Sequence, residues 1–212
     1  NISRQTVHNT LKSTLLTKQR FSLSQETPKE LYIMADEKYV PIQKGETAKT
    51  MVKSAVIFEN ITREHKRTRL IGKTIYSSVE TCFWEDIYDI VSEKYDIDKI
   101  ENIHIMGDGA NWIKSGTHQF ENAQFSLDKF HFKQAVNHIS TTPEIKSILI
   151  SNIVNNQKSV FKEIISALVE TTPALSRAKT IEDKSDYILN QWSAIQASFH
   201  DTKIGCSMES AI

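Results

Sequence analysis

Asp36 and Asp108 are the residues whose surroundings first suggest chemistry. Asp108 lies in Asn102-Ile103-His104-Ile105-Met106-Gly107-Asp108-Gly109-Ala110-Asn111-Trp112-Ile113-Lys114. Ile103 and Ile105 alternate with His104 and Met106, the period of a pleated strand. Glycines on both sides of Asp108 permit an abrupt change of direction at the carboxylate. An acid at such a strand end is held rigidly enough to bind a metal or do catalysis. Asp-Gly is also an ordinary turn signal, so Asp108 alone decides little. A second acid comes from Glu30-Leu31-Tyr32-Ile33-Met34-Ala35-Asp36-Glu37-Lys38-Tyr39-Val40, whose aromatic and branched residues predict a strand. Alternation puts Glu37 on the face opposite Asp36 and makes it the weaker candidate. Glu209, near the C-terminus, is placed in sequence to supply a third carboxylate from a packing helix.

Three such carboxylates suit hard Mg²⁺ or Mn²⁺. Two ions about 3.5–4 Å apart can activate a water or a 3′-hydroxyl and stabilise the departing oxygen of a phosphodiester. That chemistry needs no side-chain nucleophile. None is framed here: Cys82 is expected inside a helix, and no serine lies in G-x-S-x-G. No P-loop supports nucleotide hydrolysis. Cys206 and His131 alone are a weak basis for zinc.

The elements that must position the acids follow from periodicity. Residues 2–16 read as a helix with Ser3 as cap and Val7, Leu11 and Leu15 as its stripe. Its start, with Arg4, Gln5, Thr6 and His8, also fits a recognition helix that touches DNA. Residues 18–30 read as a linker. Strands are expected at 30–40, 52–61 and 69–76, forming an antiparallel meander, with the basic segment 63–67 as a solvated hairpin. A long helix is expected over 77–95, with Val79, Phe83, Ile87, Ile90 and Val91 inside. The strand ending at Asp108, a loop or short helix over 112–120, a strand over 123–127 and a helix with Phe132, Ala135, Val136 and Ile139 inside come next. If the first and fourth strands are neighbours, Asp36 and Asp108 converge. From Pro143 onward strand patterning vanishes, and helices are predicted over 143–155, 158–171 and 180–199.

Composition sets the bounds. The 212 residues, 39% hydrophobic and 25% charged, can bury a substantial core. Lysine plus arginine equals aspartate plus glutamate at 26 each, so contacts with nucleic acid must come from local patches. Two distant cysteines predict a reduced, cytoplasmic protein. No apolar run approaches membrane-spanning length, and no membrane partner is expected. The chain starts at Asn1 and stops at Ile212 within a predicted helix, which suggests a piece of a longer polypeptide.

Four strings carry a family resemblance: Met34-Ala35-Asp36-Glu37, Gly107-Asp108-Gly109-Ala110-Asn111-Trp112-Ile113-Lys114, Leu127-Asp128-Lys129-Phe130-His131 and Gly205-Cys206-Ser207-Met208-Glu209. They resemble bacterial insertion-sequence transposases of the ISLre type, DDE enzymes related to Mutator-like elements. The resemblance runs from about residue 31 to the C-terminus. It implies an α/β, ribonuclease-H-like mixed five-stranded sheet flanked by helices, with an all-helical insertion before the last helix. The implied organisation is a DNA-binding remnant and linker (1–29), a catalytic core (30–140), the insertion (141–203) and the start of the core's final helix (204–212).

Carried over, Asp36, Asp108 and Glu209 are the catalytic and metal-binding triad, served by two Mg²⁺ or Mn²⁺ ions. Asp128 and His131 match the D-x-x-H signature and are candidate accessory residues. Trp112 and Lys114 join Arg4, Gln5, Thr6 and His8 as candidate DNA contacts. The implied activity is metal-dependent DNA cleavage and strand transfer in the bacterial cytoplasm, with self-assembly on DNA. A nuclease of the same fold and a domesticated, inactive DNA-binding protein are the alternatives. Relatives usually read Ala-Glu-Gly-His around the third acid. This chain reads Met208-Glu209-Ser210-Ala211 and ends soon after, so the isolated chain is expected to hold Glu209 loosely.

Overall fold

A computed structural model describes residues 26–41, 49–64 and 67–200. Among these residues two sheets are formed. The main one contains β1 (Glu30–Pro41), β2 (Lys49–Phe58), β5 (Thr74–Ser78), β6 (Asn102–Gly107) and β7 (Ala123–Leu127), in the order β5-β2-β1-β6-β7. β1, β2 and β5 are antiparallel neighbours, while β6 and β7 run parallel to β1. This is the mixed five-stranded, ribonuclease-H-like arrangement that the sequence predicts, with β1 in the centre. β3 (Asn60–Glu64) and β4 (Arg67–Ile71) form a separate two-stranded ribbon.

Seven α-helices accompany the sheet among the described residues: α1 (Phe83–Lys94), α2 (Asn111–Lys114), α3 (Lys129–Ile139), α4 (Pro143–Val154), α5 (Lys158–Glu170), α6 (Leu175–Asn190) and α7 (Trp192–His200). Short 3₁₀ turns occupy Ile97–Lys99 and Ser115–His118.

Alternation along β1 divides the core. Leu31, Ile33 and Ala35 face Ile103 and Ile105 of β6 and are covered by Phe83, Ile87 and Val91 of α1. Tyr32 and Met34 face the other way, with Val56, Phe58 and Met106, beneath Ile61 and Leu70 of the ribbon. Asp36 belongs to this second face by the same period. A third cluster joins Leu127 of β7 and Phe132 and Val136 of α3 to Leu149, Phe161 and Ile188 of the later helices. The helical region therefore shares its core with the end of β7 and with α3. Arg177 of α6 fastens the two together by donating to the carbonyls of His138 and Ile139 at 2.6 and 2.7 Å. Those carbonyls close α3, where a cation is favourable.

Five local expectations need correction. The strand expected over 52–61 is β2, which ends at Phe58, and after Glu59 the chain enters β3 of the separate ribbon. The single strand expected over 69–76 is two strands, β4 and β5, divided at Gly72, whose φ of +64° turns the chain. The helix expected from residue 77 begins at Phe83 instead, because Ser77 and Ser78 are paired with Ser54 and Lys53 in the β5–β2 ladder. Val79 consequently lies outside the helix and is 57% exposed. Cys82 stands at the N-terminal boundary of α1, not within it. The helix expected over 180–199 is α6 and α7, separated at Gln191, and α6 begins earlier, at Leu175. No described helix is long and apolar enough to cross a membrane.

Candidate active site

Register builds the site. The β1–β6 ladder ends at Met34↔Met106, and the β6–β7 ladder at Gly107↔Leu127. Continued by one or two residues, these ladders set Asp36 beside Asp108 and Asp108 beside Asp128. The Asp128 N–H donates to the Gly107 carbonyl at 2.8 Å, so the alignment persists past the last formal pair. Adjacent paired strands are about 4.8 Å apart, so the register sets these acids on neighbouring strands at one end of the sheet. On the far side of Asp36 the row continues through Ser54 of β2 and Ser77 of β5, whose hydroxyls are 2.8 Å apart. One polar row thus crosses all five strands on the face of Tyr32 and Met34. Below it, on the same face, lies a buried group in which His104 stacks on Tyr32 and approaches Glu30 at 3.3 Å and Gln124 at 3.1 Å.

Each acid is oriented by its own backbone. Asp36 Oδ1 accepts from the N–H of Glu37 at 2.8 Å, and Asp108 Oδ1 from that of Ala110 at 2.9 Å. Neither second oxygen, Oδ2, accepts a hydrogen bond from the described residues. Asp128 caps α3 by accepting from the Phe130 N–H at 2.9 Å, leaving Oδ2 toward His131. His131 Nδ1 lies 3.7 Å from that oxygen, an ion-pair separation, and is buried without a hydrogen-bond partner among the described residues.

The His131 imidazole reports on the row. Asp128 raises its pKa most, burial opposes the rise, and the charges of Asp108 and Asp36 raise it further. All three acids therefore act on one ring. A raised value means that His131 stabilises the fold fully below its unfolded pKa near 6.5, and that this stability is lost as pH climbs through the folded value. Asp128→Asn should keep the cap yet move the NMR titration midpoint of His131 down. Asp36→Asn and Asp108→Asn should move it down by less. If all three midpoints match the wild type, the acids do not surround the ring.

The remaining candidates distribute as follows. Glu37 faces away from the row and accepts a hydrogen bond from the Trp112 indole. That indole packs edge-on to Phe83 with Lys53 above it, so Trp112 is on the α1 side of the sheet, opposite the acids. Lys114 is half-buried, its ammonium 5.8 Å from the Phe125 ring. Neither placement brings these two side chains to the acid row. Glu209, Cys206, Arg4, Gln5, Thr6 and His8 lie outside the described residues.

Two residues not singled out from the sequence approach the site from the C-terminal end of α6, Tyr187 in its last turn and Gln191 as the residue that caps it. The Tyr187 hydroxyl donates to the Asp108 carbonyl at 2.7 Å, and Gln191 Nε2 reaches the Gly109 carbonyl at 3.4 Å. Burial, then the charges of Asp108 and Asp128, push the Tyr187 phenol up to about 12. Their spacing of four on a helix was the only trace of them in the sequence.

The acid end of the sheet also carries an arm. β1 and β2 stay paired past Asp36, through Lys38↔Val52 to Pro41↔Lys49. Lys38 shares the face of Asp36 and is exposed. Among the described residues, no three His, Cys, Asp or Glu side chains form a group able to hold a metal ion by themselves. What the row offers is two hard oxygen donors on neighbouring strands, a set suited to Mg²⁺ or Mn²⁺ once a further ligand joins them.

Comparison with known proteins gives a family and no activity. A family model described as an uncharacterised protein family, UPF0236, matches residues 1–211. A UPF0236 protein of Caldanaerobacter subterraneus subsp. tengcongensis, whose name joins eleven locus designations, is 31% identical over 220 residues. Another from that organism, named for four loci, is 30% identical over 222 residues, as is a third, named for one. Each match covers 100% of this chain but 46% of the relative, so the chain spans about half the length of the curated relatives it matches.

Proposed function

Taking as premise that the chain belongs to the UPF0236 family, we propose that it is the catalytic part of a DDE-type transposase. In this reading it cuts and joins the DNA of an insertion sequence. The observation that carries the proposal is the row of Asp36, Asp108 and Asp128 along three adjacent parallel strands and their ends, facing one side. Asp36 and Asp108 would hold the ions, and Glu209, the third acid of the family resemblance and outside the described residues, would complete the ligand set. Two Mg²⁺ or Mn²⁺ ions held there would supply the charge needed to activate a water or 3′-hydroxyl and to steady the departing oxygen. Asp128 holds the start of α3 and favours the protonated form of His131 beside the row. Lys38 and the rest of the β1–β2 arm supply positive charge for DNA phosphates, a contact that should weaken steeply with salt.

The relatives' names add independent support. One name covers eleven loci of a single genome and another covers four, as copies of a mobile element would. DNA ends and target DNA are then the partners, copies of the protein assemble on paired ends, and the bacterial cytoplasm is the compartment.

The test supplies the full-length protein with pre-cleaved element ends, a target plasmid and Mn²⁺. Joined products are expected. Hydrolysis without joining would support a nuclease instead. Binding with neither reaction would indicate a core that has lost its chemistry.

A further inference from the structure

We propose that Tyr187 and Gln191 are positioning residues for the metal site, so that the helical insertion helps to set where the Asp108 carboxylate stands. The inference rests on the metal-site reading above. Both side chains bond to the backbone of the turn that carries the acid: Tyr187 to the Asp108 carbonyl at 2.7 Å and Gln191 to the Gly109 carbonyl at 3.4 Å. Those carbonyls lie beyond the last β6–β7 pair, Gly107↔Leu127. The turn has glycine on both sides, and Gly109 adopts a φ of +96°. Glycine widens the conformations open to such a turn, and contacts from outside it narrow them beyond what its own Asp108–Ala110 bond does. The C-terminal end of α6 intervenes: Tyr187 and the capping Gln191 are one turn apart, the Gln191 N–H donating to the Tyr187 carbonyl at 3.1 Å.

A second observation separates tethering from plain packing. Gln191 is 8% exposed, and its Oε1 is buried with no hydrogen-bond partner among the described residues. A buried, unpaired amide oxygen costs a fold stability, whereas an apolar side chain of similar size would avoid that cost. Among the described residues, Gln191 thus uses its side-chain amide on the Asp108 turn and not on the helical core. Outer groups that orient a ligand typically alter metal affinity by about 10- to 100-fold when removed.

The experiment titrates Mn²⁺ into the full-length protein and follows free Mn²⁺ by electron paramagnetic resonance. Metal-free melting curves are recorded alongside. Asp108→Asn is expected to abolish tight binding. Tyr187→Phe and Gln191→Met should each weaken it about tenfold. Gln191→Met should melt no lower than the wild type. If both α6 variants bind Mn²⁺ like the wild type while Asp108→Asn does not, the inference is overturned and the metal site stands. It is equally overturned if both α6 variants lose affinity only together with their folded structure. A wild type that binds no Mn²⁺ would overturn the metal-site reading itself, and this inference with it.

Discussion

Asp108→Asn is expected to lower metal-dependent strand cleavage by about a thousandfold or more, roughly 4 kcal/mol of lost transition-state stabilisation. The substitution is nearly isosteric. An asparagine Oδ1 still accepts from the Ala110 N–H, and the bond from Tyr187 ends on the backbone carbonyl, so the turn keeps its shape. What disappears is one negative charge and one oxygen able to face a cation. DNA affinity should stay within roughly threefold of the wild type when salt is held fixed, because the proposed phosphate contacts fall to cations such as Lys38 and not to this carboxylate. Rate assays and binding assays on the same preparations separate the two effects. A variant that cuts at the normal rate would remove Asp108 from the chemistry.

Gly107→Ala is expected to cost about 1–3 kcal/mol of stability, the usual range for overpacking a close-fitted core. A Cβ at this position would stand 2.7 Å from Ile113 Cδ1 and 2.8 Å from the Ala35 carbonyl oxygen. Ile113 is fully buried and has nowhere to swing. The Ala35 carbonyl is main chain in β1, one residue before Asp36. The strain is relieved mainly by pushing β1 away from β6, which widens the gap between Asp36 and Asp108. Gly107→Ala should therefore lose Mn²⁺ affinity as well as stability. Gly116→Ala is the control: its Cβ would meet the Trp84 ring at 2.5 Å, on the side of the sheet away from the acids. It should lose stability alone. Urea unfolding and Mn²⁺ titration on both variants decide the matter. Equal metal affinity in Gly107→Ala and the wild type would mean that strand separation does not govern the acid pair.

Much of this was readable in the sequence, for physical reasons. The period of two in β1 and β6 assigned Asp36 and Glu37 to opposite faces, and Glu37 does bond to Trp112 on the far side. The Gly-Asp-Gly string marked where β6 ends. Phe132, Ala135, Val136 and Ile139 were legible as the inner stripe of α3 because their spacing is helical. The errors arose where a local signal met a tertiary competitor. Ser77 and Ser78 look like a helix start, but pairing with β2 claims them for a strand. Gly72 was a single residue inside a run of strand-forming neighbours, and its positive φ could not be seen in advance. Tyr187 and Gln191 were missed because their partners are 79 and 82 residues away along the chain. A polar pair at a helix end ordinarily faces solvent, and only the docking of the C-terminal end of α6 and its cap on the Gly107–Gly109 turn gives it a task.

If Asp36 and Asp108 grip the same ions, their losses cannot add. Mn²⁺ affinity should be measured for the wild type, Asp36→Asn, Asp108→Asn and the double variant of the full-length protein. Each single substitution should remove nearly all tight binding, and the double should cost little more than either one. Losses that sum, or an Asp36→Asn variant that binds as the wild type does, would show that the two carboxylates serve separate sites.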